Sequence, residues 1–385
     1  MRLCDDILSY YNPIPQLQFP LLQLFKSAIL SLARRRFPLL ISREVFSKKN
    51  ILLSWKSGFL KSTLIENIYS VLCEIQRLTN DEFRVKRMTT ITKGALTGSI
   101  NGTGRNITFV PPDFALYDVI VCDELAPFLS QKDDIITVLL KCLDNYGFIS
   151  KKLVKFGSEI LRRMINSNQV YANNRIRMLD DYTLTYYSKA SMITATHTLT
   201  IIPLKHYHAF LSRFDVVTAN TQKIDEELRE QKKLFIPDSA KEREIAEKLC
   251  KIVLNSTLTN EDYIRLYRQV HDYIIEKFST QQLTPRDKSQ IVSDVIATKF
   301  LLSSQPVNFK NVNLDDELIS HLNEYVYRKI RVSRRITDVI TKLSQGATFV
   351  EILNLLGEDK SAVLMFLRQL RAKTLLTGGG VRWFL

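Results

Sequence analysis

A lysine and a pair of acids, each placed just after a short apolar run, have types and spacing that suit chemistry on a nucleoside triphosphate. The run Asn50–Ser54 predicts a buried parallel strand, and the loop residues 55–63 (WKSGFLKST) separate it from a helical pattern. Such a loop binds phosphate through backbone amides at a helix N-terminus. Lys61 would reach the β- and γ-phosphates, and the Ser62 hydroxyl would ligate Mg²⁺. The residues predicted to bind ATP are Ser57, Gly58, Phe59, Leu60, Lys61, Ser62 and Thr63.

The acidic pair follows a second apolar strand, predicted over 117–122. Carboxylates at the carboxyl edge of a parallel sheet lie in the crevice where such folds bind ligands. Asp123 would complete the Mg²⁺ site with Ser62, and Glu124 would polarise the attacking water. A third strand, predicted over 190–195, brings His197 to the same edge. His197 would sense the γ-phosphate or orient water, and the alternative is a capped surface histidine.

These residues need a sheet to position them. Strands at 50–54, 117–122, 190–195 and 214–218 alternate with helices, which predicts an α/β fold with a doubly wound parallel sheet. After Ile224 the pattern is helical. The segment 303–315 is polar and contains Pro306, which is typical of a linker. The last 60 residues predict three helices and a hairpin, the pattern of a winged helix-turn-helix.

The net charge of +14 is concentrated in two segments. Residues 150–190 carry eight basic against three acidic side chains, and residues 328–385 carry eleven against four. Clustered positive charge predicts contact with a polyanion such as DNA. The alternative is a generally basic, solvated surface.

The five cysteines are scattered and include no CxxC pair, so neither a disulfide framework nor a zinc knuckle is predicted. No apolar run reaches the ~18 residues of a membrane span. The first residues lack the basic leader of a signal peptide. We therefore expect a cytoplasmic protein without a membrane partner.

Two motifs resemble those of the minichromosome-maintenance (MCM) helicases, which are AAA+ ATPases. The segment 211–215 (LSRFD) is similar to the arginine-finger motif of that family, and 283–291 (LTPRDKSQI) resembles its sensor-2 helix. The segment 92–98 (TKGALTG) resembles the start of its helix-2 insertion. The family's phosphate loop also lacks glycine before its lysine. The resemblance covers about residues 10–305, and the predicted winged helix also suits archaeal members.

The resemblance implies an ATP-driven DNA helicase or translocase for replication, assembled as a hexameric ring with ATP between subunits. Arg213 and Arg286 would act on the neighbour's nucleotide, where an arginine supplied in trans stabilises transition-state charge. A channel hairpin would place three lysines on DNA, and the winged helix three arginines. These DNA-binding residues are Lys151, Lys152, Lys155, Arg368, Arg371 and Arg382.

The predicted division follows from the same comparison. It comprises a helical lead-in (1–48), an AAA+ α/β ATPase core (49–224), a helical lid carrying sensor 2 (225–305), a linker (306–330) and a winged-helix domain (331–385).

Three departures from the family pattern stand out. No segment resembles the family's N-terminal oligonucleotide-binding tier, so a replication initiator or loader protein is an expected partner. Trp55 occupies the first glycine position of the phosphate loop, and His197 stands where the family has asparagine. These departures suggest a divergent relative of the kind carried by plasmids or viruses, with slow or partner-dependent turnover.

Two alternatives from other classes stay open. One is an AAA+ assembly or loading factor with weak ATPase activity, which Trp55 favours. The other is an AAA+ transcription activator, because KGALTGS at 93–99 resembles the loop by which such proteins engage a sigma factor. The SRFD motif argues against the activator, as does Leu96, which stands where that loop has phenylalanine.

Overall fold

A five-stranded parallel sheet lies at the centre of the molecule. The computed structural model describes residues 1–37, 48–89, 91–101, 108–129, 133–144, 147–152, 176–180, 183–199, 202–230, 237–278, 283–356, 360–370, 372–377 and 380–384. The strands are β1 (Asn50–Ser54), β2 (Val85–Met88), β3 (Ser99–Asn101), β4 (Thr108–Val110), β5 (Val119–Cys122), β6 (Gly147–Lys152), β7 (Ile176–Asp180), β8 (Thr183–Ser188), β9 (Ser191–Thr196), β10 (Phe214–Val217), β11 (Lys373–Thr377) and β12 (Gly380–Phe384).

The order in the central sheet is β10-β1-β9-β5-β2, and every neighbouring pair is parallel. The strand that precedes the predicted phosphate loop is therefore separated from the acidic strand β5 by β9 alone. The described residues also form three antiparallel sheets: β3-β4, β6-β8-β7 and β11-β12. The chain is thus an α/β protein, as predicted, with an arrangement compatible with a phosphate-loop fold.

Helices surround the sheet. They are α1 (Leu3–Tyr11), α2 (Pro15–Arg36), α3 (Lys61–Leu78), α4 (Lys93–Thr97), α5 (Asp113–Leu116), α6 (Ala126–Leu129), α7 (Asp133–Leu143), α8 (Leu204–Leu211), α9 (Thr221–Glu230), α10 (Ser239–Leu254), α11 (Asn260–Lys277), α12 (Pro285–Leu301), α13 (Asp316–Gln345), α14 (Phe349–Leu356) and α15 (Lys360–Gln369), with a 3₁₀ turn at Phe309–Asn311.

Alternate residues of the central strands feed two hydrophobic cores. Ile51 and Leu53 pack on one face with α1, α2, α3 and α10 to α13. Leu52 and Ile120 pack on the other face with α7, α8 and the C-terminal helices. Strands buried on both faces are continuous apolar runs, which is why NILLS could be recognised as a strand.

The predicted boundary at residues 330 and 331 falls inside helix α13, which is continuous from Asp316 to Gln345. Its first half looks polar in the sequence, but Leu318, Leu322 and Val326 form a buried stripe on one side. Polar residues cover the other side. The polar composition that predicts a linker is here that of an amphipathic helix.

A buried chain of charges joins this helix to the sheet and to the N-terminal helices. Lys26 of α2 donates to Asp294 of α12 at 2.7 Å, and Lys49 bridges Asp294 at 2.8 Å and Asp215 of β10 at 2.6 Å. Lys329 of α13 lies 3.2 Å from Asp215. All five side chains are at most 9% exposed. Asp215 of the SRFD motif is therefore a structural residue that ties β10 to Lys49, just before β1, and to Lys329 of α13.

No helix within the described ranges combines the length and the apolar character that a membrane crossing requires.

Candidate functional site

The loop after β1 turns through two residues in the left-handed backbone region. Gly58 has φ of 84° and Leu60, which caps helix α3, has φ of 61°. Glycine adopts this region without strain, whereas a leucine there costs roughly 1–2 kcal/mol. Ser57 and Gly58 are exposed, as are Ser62 and Thr63 in the first turn of α3. The loop thus presents its accessible side at the amino end of a helix, where backbone amides favour an anion.

Trp55 folds under this loop instead of into the path of a phosphate. Its side chain is 4% exposed and packs in the core beside α3. The indole N–H donates to the Phe59 carbonyl at 2.7 Å, which ties the start of the loop to its end. Lys61 Nζ donates to the carbonyls of Trp55 and Lys56 at 2.5 and 3.0 Å, and lies 5.5 Å from the indole ring centre. The tryptophan therefore braces the loop and orients Lys61.

The carboxyl edge of the sheet brings the other predicted residues beside this loop. Strand β9 pairs with β1 so that Ser54 faces Thr196, and it pairs with β5 so that Cys122 faces Thr194. His197, Asp123 and Glu124 follow directly on these strands, so they emerge at the same edge as Trp55. With strands about 4.8 Å apart, the loop and the acidic pair are separated by about 10 Å.

The two acids have different surroundings. The Asp123 side chain is 37% exposed. Glu124 accepts a hydrogen bond from the Ala126 amide at 3.2 Å, so its carboxylate is held at the start of α6. His197 is half-buried.

Arg87, on the edge strand β2, holds Asp123. Its Nη2 donates to both carboxylate oxygens at 3.0 and 3.1 Å, and Nε approaches one of them at 3.3 Å. Its Nη1 lies 2.6 Å from a carboxylate oxygen of Glu66 on α3, and the guanidinium lies 5.4 Å from the Tyr69 ring centre. The Asp123 hydrogen bonds raise the pKa of Arg87. One arginine therefore links the acidic strand to the helix that follows the phosphate loop.

Within the described residues, no group of three or more histidine, cysteine or acidic side chains forms a protein-only metal site. The candidate donors are the Asp123 carboxylate, which is 37% exposed and paired with Arg87, and the exposed Ser62 hydroxyl. This set fits Mg²⁺, which is commonly held by one or two protein oxygens together with water and the phosphates of a bound nucleotide.

A cleft of about 1240 Å³ opens next to the loop. It is bordered by the loop residues Trp55 and Lys56, by His197, by helices α1 and α2, and by helix α13. Arg328 of α13 covers one wall, with its guanidinium 3.9 Å from the ring centre of Phe19. The cleft exceeds the volume that a drug-sized ligand fills.

Arg213 and Arg286 meet at the opposite, amino-terminal edge of the sheet and share one carboxylate. Arg213 Nη2 donates to Asp144 at 2.9 Å, and Arg286 Nη2 donates to its other oxygen at 2.6 Å. Arg286 Nη1 also reaches the Ser212 hydroxyl at 3.2 Å. The family resemblance predicts that both arginines act on a neighbour's nucleotide, and the structure places them beside each other.

Arg213 is the more enclosed of the pair. It also donates to the carbonyls of Leu140 and Ala209, at 2.8 and 3.0 Å, and its side chain is 17% exposed against 30% for Arg286. Burial lowers the pKa of Arg213, against the effect of Asp144, yet a guanidinium remains charged near neutral pH. The Arg213 carbonyl accepts from Asn50 Nδ2 at 2.8 Å. Because Asn50 begins β1, about 13 Å of strand separates these arginines from the phosphate loop of the same chain.

The residues predicted to contact DNA lie in two places. Lys151 in β6 is half-buried and donates to the Gly98 carbonyl, which joins the three-stranded sheet to the segment after α4. Lys152 ends β6 opposite Thr183. Arg368 is exposed on α15, whereas Arg382 in β12 donates to the Gly346 carbonyl at 2.8 Å. Lys155 and Arg371 lie outside the described residues.

Comparison with protein-family models and with curated proteins finds no match for this chain. The resemblance to MCM proteins therefore rests on the sequence motifs alone.

Sequence reasoning missed Arg87 and Asp144. Arg87 stands in a strand of mixed polarity (VKRM), and Asp144 follows a helix without any motif around it. Each is recognised only from its partners, which lie 36 residues away for Arg87 and 69 and 142 residues away for Asp144.

Proposed function

We propose that this chain is an ATP-driven DNA translocase or helicase of the AAA+ class, similar to the MCM motors of DNA replication. The observation that carries the proposal is the position of two sets of residues at opposite edges of one sheet. Lys61 and Asp123 lie at the carboxyl edge, whereas Arg213 and Arg286 lie at the amino edge. In the proposal the two sets act on one nucleotide, and a second copy of the chain would supply the set from the opposite edge.

The carboxyl edge would hold the nucleotide. Lys61 and the loop amides would bind the phosphates, and Ser62 and Asp123 would hold Mg²⁺, which supplies charge neutralisation at the transferring phosphate when bound. Glu124 and His197 would orient the attacking water. The nucleoside would occupy the cleft beside Trp55 and Lys56.

The amino edge would complete the site of a neighbouring subunit. Arginines there stabilise negative charge that develops on the phosphate. An interface that joins one edge to the other is heterologous and closes into a ring when the rotation allows it. This arrangement supports a homo-oligomer with ATP at each subunit interface.

The DNA contacts of the proposal rest on charge and on the C-terminal unit. Helices α13 to α15 and the β11–β12 hairpin have the order expected of a winged helix, with Arg368 exposed. Helices α9 to α12 would form the lid. Docking of a replication initiator or loader protein is the alternative role of the C-terminal unit.

A second candidate is an assembly or loading factor that binds ATP with little turnover. The specific observation in its favour is that Arg87 occupies both oxygens of Asp123, the proposed metal ligand. Release of this pair would add a barrier before hydrolysis.

Steady-state ATPase assays separate the candidates. For a motor we expect DNA to raise the hydrolysis rate severalfold and a forked duplex to be separated only with hydrolysable ATP. ATP binding without turnover favours the loader, and hydrolysis indifferent to DNA favours a transcription activator. Calorimetry without heat on addition of Mg-ATP would overturn all three.

Replacement of Asp144 tests the shared carboxylate. Because Asp144 holds both arginines, we expect Asp144→Ala to lower kcat by about 10- to 100-fold through misplacement of charge. KM for ATP should change little, since the phosphate loop is intact. Asp144→Glu keeps the carboxylate and should recover part of the loss. An equal fall in the alanine and glutamate variants, or a rise in KM alone, would contradict this role.

A further inference from the structure

Arg87, on the edge strand β2, makes four polar contacts with two carboxylates. Three donor-to-oxygen distances of 3.0–3.3 Å join it to Asp123, and one of 2.6 Å joins it to Glu66. Nη2 donates to both oxygens of Asp123 and Nη1 contacts Glu66, so a single guanidinium bridges two carboxylates. Arginine is suited to this because its donors form a rigid planar fork.

The fold sets this position. Strand β2 lies next to β5, with Arg87 level with Val121 and therefore two residues before Asp123. Helix α3 begins at Lys61 and brings Glu66 and Tyr69 over the same edge, and Tyr69 lies within cation–π distance of the guanidinium. Arg87 is thus placed between the acidic strand and the helix whose first turn carries Lys61 and Ser62.

A metal ion at the proposed site would weaken the contact of Arg87 with Asp123 but not its contact with Glu66. A divalent cation bound to Asp123 would compete with Arg87 for the two carboxylate oxygens, and its positive charge would repel the guanidinium. Glu66 is 52% exposed and already holds Nη1, so Arg87 can leave Asp123 and remain paired. The side chains of Arg87 and Asp123 are 35% and 37% exposed, so neither is locked by burial.

We propose that Arg87 is a positioning residue that neutralises Asp123 in the nucleotide-free protein. When metal-bound nucleotide binds, Arg87 releases Asp123 and keeps its pair with Glu66. The inference rests on the proposed function, because it assumes that Asp123 faces the metal of a bound ATP. When no metal is present, the positive charge of Arg87 replaces that of the metal. It thereby limits the repulsion between Asp123 and the phosphates. It also competes with the metal for Asp123.

Both effects act on one measurable quantity, the ratio of the ATP dissociation constants without and with Mg²⁺. Arg87→Gln leaves Asp123 uncompensated, which should weaken ATP binding in EDTA and strengthen it in Mg²⁺. We expect the ratio to rise about tenfold, in the range that a charge-assisted bidentate pair contributes. Arg87→Lys keeps one charge but loses the fork, so its ratio should lie between those of the wild type and Arg87→Gln.

Isothermal calorimetry of the full chain with ATP, in EDTA and in excess Mg²⁺, provides the ratio without reference to hydrolysis. The matched control is Lys86→Gln, which removes the neighbouring cation of β2. Lys86 is 36% exposed and pairs with Asp113 at 2.7 Å, away from the site, so the ratio should stay at the wild-type value. In an Asp123→Asn background, Arg87→Gln should no longer change the ratio, because the two residues act through one interaction.

An unchanged ratio in Arg87→Gln, with ATP still bound, would overturn the role of Arg87 and leave the proposed function standing. The same holds if Arg87→Gln shifts the ratio equally with and without the Asp123 carboxylate. Failure of the wild type to bind ATP under either condition would instead overturn the proposed function, and this inference with it.

Discussion

Lys61→Ala and Arg213→Ala proteins are each expected to lose ATP hydrolysis, and an equimolar mixture of the two is expected to regain it. The first variant lacks the phosphate-binding ammonium but keeps its arginine, and the second has the converse defect. If the site forms between subunits, some interfaces in the mixture pair an intact loop with an intact arginine. Random assembly makes such interfaces about one quarter of the total in a head-to-tail ring.

The physical reason is the distance between the two edges of the sheet. Arg213 contacts the first residue of β1, while the phosphate loop follows the last. One chain cannot bring both to the same phosphate without unfolding the sheet between them. An arginine acting in trans contributes about 10³- to 10⁵-fold to the rate in related phosphoryl-transfer reactions, so each single variant should fall near the assay background.

The measurement is phosphate release at a fixed total protein concentration, for each variant and for the mixture after exchange of subunits. Arg229→Ala is the matched control, since Arg229 is 78% exposed in a helical pair with Asp225 and should retain full activity. A mixture that stays as inactive as its components would refute an intersubunit site.

Asp294→Ala is expected to lower the free energy of unfolding by about 3–5 kcal/mol, the range found when one partner of a buried ion pair is removed. Asp294 is 1% exposed and accepts from both Lys26 and Lys49. The variant leaves Lys26 buried without this carboxylate and Lys49 with Asp215 alone. Guanidinium unfolding followed by circular dichroism gives the difference. Asp225→Ala, at a surface pair, should change the free energy by less than about 0.5 kcal/mol.

The same residue predicts a pH dependence. Burial by itself raises the pKa of Asp294, but Lys26 and Lys49 outweigh that effect and the pKa is lowered. The pKa of Asp215 behaves in the same way. Burial raises it, but Lys49 and Lys329 outweigh that effect and the pKa is lowered. Carboxylates with a depressed folded pKa stabilise the protein above their unfolded pKa of about 4, and this stabilisation is lost as the pH falls through the folded pKa. The wild type should therefore lose stability more steeply below pH 4 than Asp294→Ala, and parallel acid profiles would contradict the assignment.

The elements with strong periodicity could be predicted from the sequence. The strand Asn50–Ser54 is confirmed at the predicted residues, and helices such as α3 and α7 separate the strands as the alternating pattern predicts. Their apolar patterns reflect local burial, which sequence spacing records. Edge strand β2 was missed because only one neighbour pairs with it and its four residues, two cations between two apolar residues, show no alternation.

The candidate site was predictable where residues follow strand ends and unpredictable where they depend on distant partners. Lys61, Asp123 and His197 could be assigned to one edge because parallel strands end together. The clustering of Arg213 with Arg286 came only from a family resemblance, and Asp144 joins them through tertiary packing. Lys26 and Lys49 gave no signal at all, since a lysine in a helix or before a strand is ordinarily solvated.

Helix α13 can transmit a tilt from the central sheet to the C-terminal unit. Its 30 residues span about 45 Å, and ion pairs from Lys329 to Asp215 and Asp287 fasten its middle to the sheet and to α12. About 24 Å of helix extends from Lys329 to Gln345, where the C-terminal hairpin begins to pack, so a tilt of 10° at the fastening point displaces that end by about 4 Å. The strand that follows Arg213 therefore lies at the pivot of this helix, and the C-terminal unit lies at its far end.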